Sequence, residues 1–147
     1  MRLTTFTDYS LRVLIYIAAT PGRRATILEV AKAFGISENH LIKVVHFLGK
    51  AGLLANVRGR GGGLELARPA SAVNIGQVIR MTERGDLPAE CFDRRTNTCP
   101  ITANCRLRRI LEEAVQSFYG TLEKYSLQDL LRNRAALSKV LVPLQRV

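Results

Sequence analysis

The sequence has no long hydrophobic run and no segment with the form of a secretory signal. An apolar stretch from Val13 to Ala19 is far shorter than the roughly 20 residues that a membrane-spanning helix needs. The opening residues, Met1-Arg2-Leu3, are not followed by an apolar core and a small-residue cleavage site. Internal repeats and low-complexity tracts are also absent. We therefore expect a cytoplasmic protein that does not enter a membrane.

Cysteine and histidine are scarce, with three cysteines and two histidines among 147 residues. Disulfide frameworks are rare in cytosolic proteins, and an odd number of cysteines cannot pair off within one chain. Metal binding, redox chemistry or simple burial remain as roles for the three thiols.

Acidic residues are outnumbered: 22 lysines and arginines face 12 aspartates and glutamates, which gives a net charge of +10. Residues 1–84 carry twelve basic and five acidic side chains, whereas residues 85–147 carry ten and seven. A basic surface concentrates polyanions, of which DNA is the commonest. The charge balance therefore favours nucleic acid as a partner, with a merely basic soluble protein as the alternative.

The first fifty residues have the pattern of a helix followed by a helix-turn-helix. Apolar residues at helical spacing predict a first helix over 8–19, with Thr7 or Asp8 as its N-cap. The capping box Thr26-Ile27-Leu28-Glu29 opens a short helix that ends near Gly35. Ser37 then caps a third helix over 38–50, which in a helix-turn-helix is the recognition helix.

A short hairpin should follow, since residues 53–57 and 64–66 have the pattern of strands on either side of a glycine-rich turn, 58–63. A hairpin directly after the third helix is a wing. Asn74 is expected to cap a helix over 75–82, and residues 84–100 are expected to form a loop.

A long helix is predicted from about 103 to 124, with a short helix capped by Ser126-Leu127-Gln128-Asp129 after it. Its seam of apolar residues is what one helix offers to a partner helix. The seam consists of Leu107, Leu111, Ala114, Phe118, Leu122 and Tyr125. The predicted fold is mainly α, a winged helix-turn-helix DNA-binding domain with a long C-terminal dimerisation helix.

The chain is thereby divided into four parts. Residues 1–84 form the winged-helix DNA-binding domain, and residues 85–102 form a cysteine-bearing, cluster-binding loop. Residues 103–131 form the dimerisation helix and the short helix after it, and residues 132–147 form a basic tail.

Candidate DNA contacts lie on three of these elements. Asn39 and His40 fall in the first turn of the recognition helix and Lys43 one turn later, where major-groove contacts to bases and phosphates are made. Arg58 and Arg60 alternate with glycines at the wing tip, a pattern suited to a narrow minor groove. On the first helix, Tyr9 and Arg12 are candidate phosphate contacts. Ordinary solvent exposure is the alternative for each of these side chains.

The three cysteines, Cys91, Cys99 and Cys105, are spaced C-x7-C-x5-C. Thiolates are soft ligands that select zinc or iron–sulfur clusters. Zinc usually needs a fourth Cys or His, and both histidines belong to the recognition helix, whereas an iron–sulfur cluster tolerates one other ligand. A zinc site, a redox thiol switch and incidental thiols stay open beside the cluster. Five arginines that could offset cluster charge flank the loop: Arg94, Arg95, Arg106, Arg108 and Arg109.

Four stretches together resemble the NsrR repressors, nitric-oxide-sensing members of the superfamily that also contains the regulator IscR. They are MRLTTFTDYSLRVLIYIA, ISENHLIKVVHFL, RGRGGGLELARPASAVNIGQVIR and CPITANCRLRRILEEAVQSF. The resemblance covers most of residues 1–131, and the wing and the cysteine loop occur in family order.

The resemblance implies a homodimer on the long helix and an iron–sulfur cluster held by Cys91, Cys99 and Cys105. It further implies a fourth ligand, Asp8, from the other subunit; helix capping is the competing role for Asp8. A 4Fe-4S cluster is favoured and a 2Fe-2S cluster is the alternative. The interval between the first two cysteines is about two residues longer than the family pattern, a difference that a loop tolerates.

The function expected from these features is repression of an operator by the intact dimer, with nitric oxide damaging the cluster and releasing the DNA. An IscR-like regulator of cluster status or redox state is the nearest alternative. A thiol or zinc regulator, a purely architectural DNA protein and an electron-transfer enzyme are further alternatives. Since no substrate-binding motif is present, we do not expect an enzyme.

Overall fold

The computed structural model describes residues 2–83 and 88–141. Within these residues the chain forms six α-helices, one two-stranded antiparallel sheet and four short 3-10 turns. The α-helices are α1 (Thr5–Ala19), α2 (Ile27–Phe34), α3 (Glu38–Lys50), α4 (Ile75–Thr82), α5 (Arg106–Leu122) and α6 (Arg134–Leu141), and the strands are β1 (Leu54–Val57) and β2 (Gly63–Leu66). This confirms the mainly helical fold. None of the described helices has the length and apolar character required to cross a membrane.

The helix-turn-helix, α2 and α3, begins and ends at the predicted residues. The Thr26 hydroxyl accepts a hydrogen bond from the Glu29 backbone N–H at 3.2 Å, and the Glu29 carboxylate accepts one from the Thr26 N–H at 2.6 Å. Gly35 ends α2 in the left-handed conformation, with φ 64° and ψ 36°, which glycine adopts without a Cβ clash. Ser37 caps α3 as expected.

Helix α1 begins three residues earlier than predicted, and its N-cap is Thr4 rather than Thr7 or Asp8. The Thr4 hydroxyl accepts a hydrogen bond from the Thr7 N–H at 3.2 Å. The Glu83 carboxylate accepts bonds from the Thr4 N–H at 2.7 Å and from its hydroxyl at 3.1 Å. Because Glu83 lies 79 residues further along the chain, local capping rules could not identify it as a partner of Thr4.

The wing is the antiparallel hairpin of β1 and β2, paired from Leu54 with Leu66 to Val57 with Gly63. Each strand differs by one residue from its predicted bounds. Ala25, between α1 and α2, forms an isolated bridge with Leu64, so that the loop before α2 lies along the outer edge of β2.

The hydrophobic core lies between α1, α3 and α4 and is closed by residues near the C-terminal end. Leu14, Leu41 and Leu48 are fully buried, and so is Leu127 from the 3-10 turn after α5. This turn, Leu127–Leu131, carries the predicted Ser126 capping box but is 3-10 rather than α-helical. Residues 134–141 of the expected tail form α6, whereas residues 142–147 lie outside the described part.

Helix α5 is fastened to α4 at its C-terminal end. The Asn74 side-chain amide donates to the Glu123 carbonyl at 2.7 Å, and Arg80 forms an ion pair with the Glu123 carboxylate at 2.8 Å. A Cβ at Gly76 would lie 2.7 Å from the Glu123 backbone nitrogen, so that only glycine permits this approach. In α5, all of which is described, no residue is buried. The proposed dimerisation role of this helix therefore stays a prediction.

Between α4 and α5 the chain is irregular, as predicted. Residues 84–87, where the first domain boundary was placed, lie outside the described residues. From residue 88 the segment contains the 3-10 turns Glu90–Phe92 and Thr102–Asn104, and the second turn replaces the predicted first residues of the long helix.

Candidate functional site

The recognition helix α3 presents one polar face to solvent. Its inward stripe is buried, whereas Asn39, His40 and Lys43 are all exposed, as predicted. Ile42 lies beside them with 51% of its surface exposed. A helix of this size enters the major groove, where polar side chains read base edges and an apolar one can contact a thymine methyl group.

Ile42 is a candidate contact that was not predicted from the sequence. Only polar residues were expected to contact DNA, and an apolar residue on a helix is normally assigned to the core. Its position directly after the inward Leu41 places it outside the buried stripe, which is a signal that a strict helical count could have found.

Tyr9 of α1 contacts the recognition helix. The centroid of its ring lies 6.1 Å from the centroid of the His40 ring, at an interplanar angle of 42°. Tyr9 is half-buried and His40 is exposed. The contact brings the predicted α1 and α3 residues to one surface. A movement of α1 would therefore displace the first turn of α3.

Asp8 and Arg12 form an ion pair one turn apart on α1. Two guanidinium nitrogens contact the two carboxylate oxygens, at 3.1 and 2.9 Å, and Arg12 also lies over the Phe34 ring at 5.7 Å. The side chains of Asp8 and Arg12 are 44% and 41% exposed, respectively. Asp8 is thus accessible to a partner from outside the chain, whereas the charge of Arg12 is offset by Asp8. A pair this exposed contributes little to stability.

The wing tip exposes both predicted arginines, Arg58 and Arg60. Gly59 and Gly61 have φ of 93° and 76°, in the left-handed region that favours glycine. The Gly62 N–H donates to the Gly59 carbonyl at 2.9 Å and closes the turn. The turn therefore carries two guanidinium groups on a narrow backbone that can approach a groove closely.

Arg24 is a second residue that sequence reasoning missed. Its guanidinium donates to the Glu65 carboxylate at 2.8 Å and to the Gly61 carbonyl at 3.2 Å. The partners are 41 and 37 residues away, so that no local pattern predicts the contact.

The cysteine segment, residues 88–105, holds Cys91, Cys99 and Cys105 as free, half-buried thiols. The Cys99 N–H donates to the Asn97 side-chain oxygen at 3.0 Å, and the Cys99 carbonyl accepts from the Thr102 hydroxyl at 2.8 Å. The hydrogen bonds in this stretch mostly join near neighbours in sequence. The segment can therefore change shape without breaking core packing.

The Glu90 carboxylate braces this segment by accepting bonds from the Thr98 N–H at 2.6 Å and from its hydroxyl at 2.7 Å. The backbone bond, followed by the hydroxyl bond, holds the pKa of Glu90 below its ordinary value. One of the predicted arginines reaches the segment from α5: Arg108 lies over the Phe92 ring at 5.2 Å and donates to the Cys91 carbonyl at 3.3 Å.

The three thiols and Asp8 are not brought together within one chain. In the described ranges 2–83 and 88–141, no group of three or more His, Cys, Asp or Glu side chains is placed to hold a metal ion. By donor chemistry, however, the segment fits an iron–sulfur cluster, since it offers three free soft ligands outside the core, and the guanidinium of Arg108 bonds to the Cys91 carbonyl.

Comparison with known proteins gives matches along almost the whole chain. The Rrf2 family, described as "Iron-dependent Transcriptional regulator", matches residues 3–133. The HTH-type transcriptional regulator NsrR of Bacillus subtilis is 44% identical over 142 residues, which cover 96% of this chain and 97% of that protein. NsrR of Shouchella clausii is also 44% identical, over 96% of this chain and 95% of its own.

Solved structures share the fold. The T. potens IscR structure has a TM-score of 0.73 and 26% identity, covering 90% of this chain and 88% of that one. CymR, the global cysteine regulator of B. subtilis, has a TM-score of 0.68 and 27% identity, covering 88% and 95%. The predicted resemblance to NsrR regulators and the winged-helix fold are confirmed. These relatives are named as regulators, in agreement with the expectation that the protein is not an enzyme.

Proposed function

The chain belongs to the Rrf2 family of iron-dependent transcriptional regulators, and we propose that it is a dimeric, cytoplasmic repressor whose operator binding depends on an iron–sulfur cluster and is released by nitric oxide. The observation that carries this proposal is the combination, in one chain, of a winged helix with an exposed reading face and three free thiols within fifteen residues. A regulator that only bound DNA would not need the second feature.

The winged helix would bind the operator DNA. Asn39, His40 and Lys43 would enter the major groove, and Arg58 and Arg60 would enter the adjacent minor groove. Tyr9 would approach the backbone from α1, and Arg12 would do so once Asp8 serves as the proposed ligand and no longer offsets its charge. In a dimer, two recognition helices would bind half-sites about one DNA turn apart.

Helix α5 and the residues before it supply a surface for the dimer. Ile101, Leu107 and Ile110 are 62%, 61% and 53% exposed. Exposed apolar side chains of this kind, two on the N-terminal half of α5 and one before it, suit a partner helix. The second copy of α5 is therefore the partner that we propose.

Cys91, Cys99 and Cys105 would hold the cluster, with Asp8 of the partner subunit as the fourth ligand. A 4Fe-4S cluster is the form favoured by the NsrR resemblance, and 2Fe-2S is the alternative. When bound, the cluster supplies iron for which nitric oxide is a strong ligand. Within this chain, Asp8 lies one residue before Tyr9, whose ring contacts His40, so that α1 connects a ligand to the reading face.

The test is iron and sulfide analysis of protein purified without oxygen, followed by nitric oxide titration. We expect coloured, iron-containing protein whose absorbance and operator binding fall in parallel. Cys99→Ser should be folded by circular dichroism yet bind little iron. If iron-free protein recognises the operator as well as the coloured protein does, the proposed switch is wrong.

Asp8→Ala tests the fourth ligand. We expect a labile or spectrally altered cluster, whereas Arg12→Ala, which removes the ion pair but keeps the Asp8 carboxylate, should leave the cluster spectrum unchanged. If Asp8→Ala has the wild-type spectrum and stability, Asp8 has only the ion pair with Arg12.

An IscR-like regulator that reports cluster supply is the second candidate, because the T. potens IscR structure matches 90% of the chain. Such a regulator would respond to iron depletion in the cell more than to nitric oxide. Reporter expression under each condition separates the two functions.

A further inference from the structure

We propose that Arg24 is a positioning residue that holds the wing in the conformation needed for minor-groove binding. The inference rests on the proposed DNA contacts of Arg58 and Arg60. Arg24 acts through the wing backbone and not by touching a phosphate.

The guanidinium of Arg24 joins two separate parts of the wing. Its Nε donates to the Glu65 carboxylate in β2 at 2.8 Å, and its Nη1 donates to the carbonyl of Gly61 in the tip turn at 3.2 Å. One side chain thus fixes the tip relative to the strand that leads away from it. We call these two bonds the Arg24 clamp.

The backbone that carries Arg24 is itself held against the wing. The Leu64 N–H donates to the Ala25 carbonyl at 2.7 Å, and the Ala25 N–H donates to the Leu64 carbonyl at 3.1 Å. A Cβ at Gly63 would lie 2.9 Å from the Ala25 carbonyl oxygen and 3.0 Å from the Arg24 Cβ. The backbone of Arg24 and Ala25 is therefore in close contact with β2. This contact fixes the position from which the Arg24 side chain extends.

The wing needs such a contact because one side of it is not packed. Arg24, Gly61 and Glu65 line an open cleft of about 710 Å³ between the wing and the C-terminal residues Leu131 and Arg134. Every residue of the stretch 59–63 except the second is glycine, and glycine loses more conformational freedom on ordering than other residues. A clamp that orders the tip beforehand lowers the cost of ordering it on DNA.

The charge of Arg24 is compensated, which favours a positioning role over a phosphate contact. Glu65 lies 2.8 Å away, and the side chains of Arg24 and Glu65 are 40% and 43% exposed, respectively. The neighbouring Arg23, 44% exposed, is paired in the same way at 2.6 Å, but its partner Glu29 belongs to α2 and not to the wing. Arg23 is thus a control of matched charge and exposure.

Glu65→Ala gives a test by the sign of the change in affinity. The substitution adds one unit of positive charge per subunit and removes the acceptor of the Arg24 Nε bond, so that a purely electrostatic role predicts tighter DNA binding. The clamp predicts weaker binding, by about twofold to fivefold, because the guanidinium that holds the Gly61 carbonyl is itself no longer anchored. Tighter binding would overturn the proposal.

Arg24→Gln and Arg23→Gln remove equal charge and are compared by operator affinity over a range of salt concentrations. We expect Arg24→Gln to weaken binding about threefold to fivefold more than Arg23→Gln, with the same salt slope for both variants. Removal of a direct phosphate contact would instead reduce the salt slope by about one. A reduced slope for Arg24→Gln alone would overturn the positioning role.

Two further measurements separate this inference from the proposed function. In an Arg58→Ala/Arg60→Ala background, Arg24→Gln should weaken binding no more than Arg23→Gln does, since the wing no longer binds and only the loss of charge remains. Amide exchange at Gly62 should become faster in Arg24→Gln but not in Arg23→Gln, without any DNA. If Arg58→Ala/Arg60→Ala binds like wild type, the wing contact is wrong, whereas unchanged exchange at Gly62 would show that the clamp itself is wrong.

Discussion

The winged helix and the cysteine segment of the same chain are stabilised very differently. Most of the fully buried side chains lie in residues 2–83. In this region α2 and α3 are each capped by the residue directly before the helix. In the stretch 88–126, all of it described, no residue is buried, and the thiols are only half-buried. The winged helix therefore holds its shape by packing, whereas the cysteine segment depends mainly on short-range hydrogen bonds.

This difference indicates where a signal can act. Burial of apolar surface is the main contribution that offsets the conformational entropy of folding, so a segment that buries little is easily rearranged. We therefore expect the cysteine segment to rearrange more easily than the winged helix, whose exposed α3 residues are held by a buried core. Each of the following experiments tests one side of this contrast.

The largest effect is expected in the core. Leu14→Ala removes a fully buried side chain from α1 and should lower the free energy of unfolding by about 3 kcal/mol. Ile101→Ala in the cysteine segment, where the side chain is 62% exposed, should change it by less than about 0.5 kcal/mol in cluster-free protein. Urea unfolding measures both; equal decreases would remove the contrast between the two regions.

Dimerisation should be the next most sensitive property. Leu107→Ala combined with Ile110→Ala removes two exposed apolar side chains from α5 and should weaken the dimer at least about tenfold, while the winged helix stays folded. Sedimentation equilibrium measures the dissociation constant, with Glu112→Ala as a control on the same helix. A dimer of unchanged strength would place the interface elsewhere.

The capping box of α2 should give a smaller, pH-dependent effect. Burial raises the pKa of Glu29, but hydrogen bonds from Thr26 and Arg23 outweigh it, and the pKa lies below its ordinary value. Because the pKa of Glu29 is lower in the folded protein than in the unfolded chain, its ionisation stabilises the fold at any pH above the unfolded-state pKa. This stabilisation is lost as the pH falls through the folded-state pKa.

Glu29→Gln should therefore cost about 0.5 kcal/mol at pH 7, after allowance for solvent screening, and progressively less below about pH 4. Thermal or urea unfolding at several pH values measures the difference from wild type. A difference that grows towards acid pH would contradict the assignment.

The smallest effect is expected at Glu90 in the cysteine segment. Its pKa is lowered first by the Thr98 backbone N–H and then by the Thr98 hydroxyl, so that Thr98→Val should raise the pKa part of the way back. Carbon-detected NMR titration of the Glu90 carboxyl group measures this shift. The accompanying change in the free energy of unfolding should be smaller than that of Glu29→Gln, since the Glu90 carboxylate is exposed.

Local sequence was sufficient for the helix-turn-helix, because its start and stop signals lie within it. Thr26 with Glu29, Gly35 and Ser37 fix the bounds of α2 and α3. The start of α1 was misplaced because both Thr4 and Thr7 can cap a helix locally, and the Glu83 contact that strengthens the cap at Thr4 comes from the end of α4. The same reason explains why the Arg24 clamp was not foreseen.

The residues of the candidate site could be predicted from the sequence, but their relative positions in space could not. The exposed residues of α3 and the wing followed from helical spacing and from the glycine pattern. The relative positions of the three thiols did not, since the cysteine segment has no periodic pattern from which they could be inferred. Asp8 was expected either as a cap or as a ligand, and its contact with Arg12 was not anticipated although the i, i+4 spacing allows it.

The attachment of α5 at one end has a mechanical consequence. Its seventeen residues extend about 25 Å from the Gly76–Glu123 contact to Arg106, next to Cys105. A tilt of about 10° at the attached end would therefore displace Arg106 by roughly 4 Å. Conversely, a displacement of about 4 Å beside Cys105 corresponds to a tilt of only about 10° where α5 meets α4, so that a large movement at the free end of the helix is a small change of angle at the attached end.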